Sequence, residues 1–275
     1  MGRGDVTRSS AVAGSFYPAD ERLLRGIVES LIASVHPTPL KGSPSVIIAP
    51  HAGYPFSGQT AAYAYKSVKG RDYDSVVMVG PSHYVYAKGA AVYVGDYWST
   101  PLGDVPVDTD LASRILDTCE IASVDPHAHS REHSLEVQLP FLQKVLKDFK
   151  IVPVVTLLKS PEDAALLARS IMKSCEGKEW LLLASSDLYH GNSYEECVTK
   201  TETTLKRIMD GDPAELARSF LTGESSACGE GALLTALTTA KLVGASPVLL
   251  HHTNSGDVMG TRSGYVVGYC AVAFV

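Results

Sequence analysis

Ser45-Val46-Ile47-Ile48-Ala49-Pro50-His51-Ala52-Gly53-Tyr54 is the stretch on which the fold turns. The apolar, β-branched run reads as a buried strand, Pro50 ends it, and small residues carry the chain toward a helix near Ser57-Gly58. The same order recurs twice. Val76-Val77-Met78-Val79 leads into Gly80-Pro81-Ser82-His83, and Trp180-Leu181-Leu182-Leu183-Ala184 leads into Ser185-Ser186-Asp187-Leu188-Tyr189-His190-Gly191. Further strands are expected at Ala90–Val94, Ile151–Val155, Val248–Leu250 and Tyr265–Val275, with Gly256 turning a hairpin between the last two.

Helical periodicity fills the gaps. Asp20 can cap a helix whose apolar positions are Leu23, Leu24, Ile27, Val28 and Leu31. Ser160-Pro161 and Asp212-Pro213 are cap residues followed by Pro at the first helical position. Leu135–Leu146 and Gly231–Leu242 carry helical apolar spacing. Strands alternating with helices imply a largely parallel sheet covered on both faces. The closely spaced runs at 76–94 and 248–275 suggest antiparallel additions at its edges. The expectation is one α/β domain over residues 1–275, a three-layer α/β/α sandwich with a mostly parallel mixed sheet.

Composition bounds the function. The 275 residues are 45% hydrophobic and 20% charged, which suits a globular chain with a sizeable core. A net charge of −6 without a Lys/Arg cluster argues against nucleic acid or an anionic membrane as partner. Five cysteines at wide spacing, with no C-x-x-C, argue against a disulfide framework. Met1–Ser10 has no apolar core of a leader, and Tyr265–Val275 is far short of the roughly 20 residues of a membrane helix. A cytoplasmic protein is expected.

Chemistry-bearing side chains cluster where strands should end. In open α/β sheets, ligands bind beyond the carboxyl ends of the strands. His51 and His83 both follow a strand and small residues, so they can converge at one crevice. Taken alone, each also reads as a turn histidine bonded to backbone. Asp187 and His190 follow the third strand, where a carboxylate beside an imidazole can raise its basicity; capping and solvation explain the pair equally well. His127-Ala128-His129-Ser130-Arg131-Glu132-His133-Ser134-Leu135-Glu136 places His129 and His133 four apart, but without the H-E-x-x-H order of a metal helix. It reads first as a polar helix start with carboxylates near the positive end of the dipole, and otherwise as residues that support a site's ligands or touch substrate. Cys228, in Ser226-Ala227-Cys228-Gly229, precedes a helix whose dipole favours a thiolate. By itself it reads as a packed thiol before it reads as a ligand.

Taken together, these segments resemble the Memo family, whose bacterial and archaeal members are often called AmmeMemoRadiSam system protein B. The matching stretches are Ala13-Gly14-Ser15-Phe16-Tyr17-Pro18, Pro50–Tyr54, Gly80–His83, Glu132–Phe141, Ser185–His190 and Ala227-Cys228-Gly229. The family is similar in fold to the extradiol, ring-cleaving dioxygenases that use non-haem iron. The resemblance implies a metal site of His51, His83 and Cys228, faced by His190 with Asp187 beside it. It implies Fe(II) or copper, with zinc as a further option. It also implies a small-molecule or peptide ligand and, through the family label, a radical-SAM partner.

The dioxygenases carry a carboxylate where this family has cysteine. A 2-His-1-carboxylate triad is the usual oxygen-activating iron site, so ring cleavage is not carried across. Three readings follow: a metal-dependent redox enzyme with His190 as general acid or base, a binding protein using the same pocket without turnover, and a zinc hydrolase.

Overall fold

The computed structural model describes residues 5–275; Met1–Gly4, part of the polar N-terminal stretch read above, lie outside it. In chain order the elements begin β1 (Thr7–Arg8), α1 (Glu21–Ser34), β2 (Val46–Ala49), α2 (Tyr54–Val68), β3 (Ser75–Pro81), β4 (Ala90–Val92), β5 (Tyr97–Thr100), β6 (Gly103–Pro106) and α3 (Thr109–Thr118). The middle of the chain forms β7 (Ala122–Val124), α4 (Pro126–Ser130), a 3₁₀ turn (Glu136–Gln138), α5 (Leu139–Val145), β8 (Lys150–Thr156), α6 (Pro161–Ser174), β9 (Trp180–Ser185) and β10 (His190–Gly191). It ends with α7 (Tyr194–Asp210), α8 (Pro213–Leu221), α9 (Glu230–Val243), β11 (Pro247–Asn254), α10 (Ser255–Met259) and β12 (Val266–Phe274).

The main sheet is mixed. Its centre, β2-β9-β3-β8, is parallel throughout. On one side β12 joins β2 antiparallel and carries β11 and the short β10. On the other side β4 runs antiparallel to β8, with β7 beyond it. A separate three-stranded sheet, β1-β5-β6, was not expected. Its strands are two to four residues long, too short to show a period.

Strand alternation assigns the two cores. Ile47, Val76, Met78, Leu181 and Leu183 face α1, α2 and α5. Val46, Ile48, Val77, Val79 and Leu182 face the other layer, which includes α3, α6 and α9. Every residue of β2 and β3 is buried, as expected for parallel strands covered on both faces. This is the α/β sandwich expected from the sequence.

Helix starts follow the capping residues. Asp20, Ser160 and Asp212 each accept a backbone N–H of the first turn, and Pro161 and Pro213 occupy the opening positions. In α1 the fully buried stripe is Leu24, Val28 and Ile32, whereas Leu23 faces solvent.

Two local expectations are corrected. Leu135–Leu146 is not one helix but the 3₁₀ turn followed by α5. Pro140 has no N–H to donate and suits a first helical turn, not an interior. Strands β11 and β12 do pair antiparallel, but Gly256 lies in α10 and not in a tight turn. The Asn254 side chain accepts from Asp257 N and starts that helix, and a Cβ on Gly256 would stand 2.6 Å from the Thr261 carbonyl.

No helix among the described residues is long and apolar enough to cross a membrane.

Candidate metal centre

Three neighbouring parallel strands end at one crevice. β2 delivers His51, β3 delivers His83, and β9, lying between them, delivers Asp187. The β2-α2-β3 crossover therefore skips one strand position and does not make β2 and β3 neighbours.

Cys228 reaches the same place from the loop before α9. Its N–H donates to the Asp187 carbonyl at 3.1 Å, and Asp187 N–H lies 3.3 Å from Sγ. Gly229 permits this approach. A Cβ there would stand 2.7 Å from the Ser185 carbonyl, and its N–H donates to Ser186 Oγ.

The expected ligands converge. His51 Nε2 is 3.1 Å from Cys228 Sγ. The His51 and His83 rings lie 5.3 Å apart and nearly perpendicular. One ligand atom from each of His51, His83 and Cys228 lies within 4.8 Å of the others. His51 is buried, Cys228 half-buried and His83 exposed, so the group opens to solvent on the His83 side.

Glu132 organises His83. Its two oxygens accept from His83 N–H at 2.5 Å and from His83 Nδ1 at 2.8 Å, and Ser134 N–H also donates to it. Burial pushes this carboxyl up, but the hydrogen bonds from His83 and Ser134 outweigh that and bring it down to about 2. With Nδ1–H bound to a carboxylate, His83 Nε2 is free to ligate, an arrangement common among metal-binding histidines.

A second group of His83, Glu132 and His133 is also close enough to hold an ion. There the Glu132 oxygens are already engaged by three N–H groups, which suits Glu132 to supporting a ligand more than to being one. His133 stacks on His83 at 4.4 Å and meets the Phe16 ring at a tilt, 4.6 Å away. Burial, His51 and His83 push its imidazole down to about 3, so it is neutral near pH 7.

His129 stands elsewhere, buried with Nε2 on the Ala91 carbonyl. Helix α4 stops at Ser130, so the four-residue spacing of His129 and His133 places no common face.

Burial, followed by the Asp187 charge, pushes the Cys228 thiol up. The helix-start argument for a free thiolate is outweighed, and a cation would have to displace the proton. Burial, then His83, pushes the His51 imidazole well down and keeps it neutral.

His190 stands across the crevice. Its Nδ1–H donates to the Leu188 carbonyl at 2.9 Å, and its Nε2 is 4.0 Å from Asp187 Oδ2. Leu188 is therefore its nearer partner. Asp187 instead accepts from the His51 backbone N–H at 2.8 Å. Burial pushes the Asp187 carboxyl up to about 6.

Glu132 and His133 were not assigned to the site from the sequence. Their nearest signal was the polar 127–136 run itself, which reads as a solvated helix start until its burial is known.

Comparison with known proteins shows the family. The family model for Memo-like protein matches residues 8–273. A MEMO1 family protein of Sulfolobus acidocaldarius is 38% identical, aligned over 98% of this chain and 99% of its own length. One from Aeropyrum pernix is 39% identical over 96% and 98% of the two chains, and one from Nitrosopumilus maritimus 33% over 98% and 100%. With the family model matching residues 8–273 and these relatives aligned over nearly the whole chain, the chain belongs to the Memo family.

Proposed function

We propose that the chain is a metal-dependent redox enzyme with a single iron or copper ion held by His51, His83 and Cys228. The observation that carries this reading is the convergence of His51 Nε2, Cys228 Sγ and the His83 ring at the carboxyl ends of parallel strands, open to solvent on one side. The donor chemistry fits. Two imidazoles and one thiol suit copper, zinc and iron better than hard cations. Three protein ligands leave positions for substrate, as catalytic sites do. When bound, iron or copper would supply one-electron chemistry at that point.

The remaining residues have assignable work. Glu132 holds the His83 ring with Nε2 toward the crevice. Asp187 and the Cys228 backbone tie two ligand loops together. His190 donates Nδ1–H to Leu188, so its Nε2 is the atom available to accept or return a substrate proton. His133 and Phe16 wall one side. The ligand is a small molecule or a peptide segment, the compartment cytoplasmic, and a radical-SAM protein the partner to test. Neither nucleic acid nor membrane is proposed as a partner.

Zinc hydrolysis is the second reading, favoured by one feature: Cys228 stands where an oxygen-activating iron site has a carboxylate. A binding protein without turnover would use the same crevice. Anaerobic purification without a chelating tag, elemental analysis and an oxygen-uptake screen separate them. Stoichiometric iron or copper with substrate-dependent uptake is expected. Zinc alone, hydrolysis and no uptake would replace the redox reading. Ligand binding with no turnover of any kind would leave a binding protein.

A further inference from the structure

His51 is the most buried of the three ligands, and its outer nitrogen ends a chain of buried hydrogen bonds. Tyr65 OH donates to Gln138 Oε1. Gln138 Nε2 lies 3.1 Å from the Pro50 carbonyl, 3.3 Å from the Ser134 carbonyl and 2.8 Å from Ser185 Oγ. Ser185 Oγ is 2.7 Å from the Ser134 carbonyl and 2.7 Å from His51 Nδ1. All of these residues are buried.

Two backbone carbonyls fix every proton in this chain. A carboxamide oxygen placed where Gln138 Nε2 sits would face the Pro50 and Ser134 carbonyl oxygens, with no proton between them. The NH₂ group therefore lies there, and Oε1 is left for Tyr65 to donate to. Ser185 has one hydroxyl proton. The Ser134 carbonyl can only accept, so that proton goes to it. Ser185 Oγ has then no proton left for its two nitrogen neighbours: it shares the two NH₂ protons of Gln138 with the Pro50 and Ser134 carbonyls and must accept from His51. The only donor His51 can offer is Nδ1–H, which leaves Nε2 unprotonated and facing Cys228 Sγ.

We propose that Gln138 and Ser185 are positioning residues that hold His51 in the Nδ1–H tautomer and thereby present its Nε2 lone pair to Cys228 and to a metal. Only the last part rests on the metal-centre reading; the tautomer does not. Tyr65 is dispensable, because the Pro50 and Ser134 carbonyls orient Gln138 without it.

The test is long-range proton–nitrogen NMR on metal-free full-length protein with ring-labelled histidine, the His51 signals being assigned by their loss in His51→Gln. The expected pattern is a protonated Nδ1 and a bare Nε2. Tyr65→Phe should keep this pattern. Ser185→Ala and Gln138→Glu should mix or invert it and weaken Zn(II) binding by about 10–100-fold, whereas Ser185→Thr, which retains a hydroxyl, should restore both. A wild-type His51 protonated at Nε2 would overturn the proposal, and that measurement stands even if a variant does not fold. An unchanged tautomer and unchanged zinc affinity in folded Ser185→Ala would overturn it too. The expected tautomer in a protein that binds no zinc would support the tautomer lock and overturn the metal-centre reading instead.

Discussion

On the proposed reading, His83 holds the metal and His190 moves a proton, and single substitutions separate the two roles. His83 is exposed at a strand end and not part of the apolar core, although its ring holds the buried Glu132 carboxylate. His83→Ala is expected to stay folded by circular dichroism and to lose most bound metal. Unchanged stoichiometry in the folded variant would take His83 out of the ligand set. His190→Ala should keep the metal and lose activity by about 10²–10⁴-fold, as removal of a general acid or base does. Joint loss of metal and activity would make His190 a ligand.

Glu132 adds a pH test. Its carboxyl is held at about 2 in the fold, below its ordinary value of 4.5. A depressed carboxyl contributes stability that is present above pH 4.5 and is lost as pH falls toward 2. Glu132→Gln should therefore be less stable than wild type near neutral pH, and the gap should narrow as pH drops through that window. Urea midpoints measured on both sides of pH 4.5 check it, and a constant gap would show that the pair with His83 is not stabilising.

Only part of the site was legible residue by residue: His51 and His83 could be placed at strand ends, but their grouping with Cys228 came from the resemblance to the Memo family, because the loop before α9 gives no sign of what it packs against. Glu132 did not show as buried in the sequence, because its surroundings are built by segments distant in the chain, among them Arg8, which bonds its carbonyl.

That dependence belongs to the scale of elements. The segment from β1 to α1 lies along the 129–136 loop. Arg8 bonds the carbonyls of His129 and Glu132 and pairs with Glu136 at 2.7 Å, while Ala11 N–H, Val12 N–H and Tyr17 OH also converge on Glu136. Breaking one side of a buried pair strands the other charge, at a cost of about 3–5 kcal/mol. Arg8→Met is expected to lose stability in that range by urea denaturation. A loss below about 1 kcal/mol would show that the N-terminal segment does not clamp the loop.

The central strands were readable because parallel strands buried on both faces are continuous apolar runs. The β1-β5-β6 sheet was not: β5 and β6 form a local hairpin of four-residue strands too short to show a period, and β1 joins β5 from a distant part of the chain. Helix α7 was not delimited despite a local signal: Ser193 followed by Glu196 is the start of a capping box, and Ser193 Oγ does accept from Glu196 N–H.

At the scale of the whole molecule, the sheet interleaves the chain. β2 lies between β12 and β9, and β3 between β9 and β8, so strands from both ends of the sequence build one layer. No cut between consecutive elements leaves two sheets with cores of their own. A single cooperative thermal transition is expected, and two transitions assignable to separate stretches would contradict it.

The same interleaving brings His51, His83 and Cys228 to one point, and the most direct test examines that point. X-ray absorption at the edge of whichever metal accompanies the protein through anaerobic, tag-free purification reads its ligand shell. One sulfur at about 2.3 Å with nitrogen or oxygen neighbours at about 2.0–2.1 Å is expected, the sulfur vanishing in Cys228→Ser. A shell of nitrogen and oxygen alone in the wild-type protein, with Cys228 reduced, would contradict it.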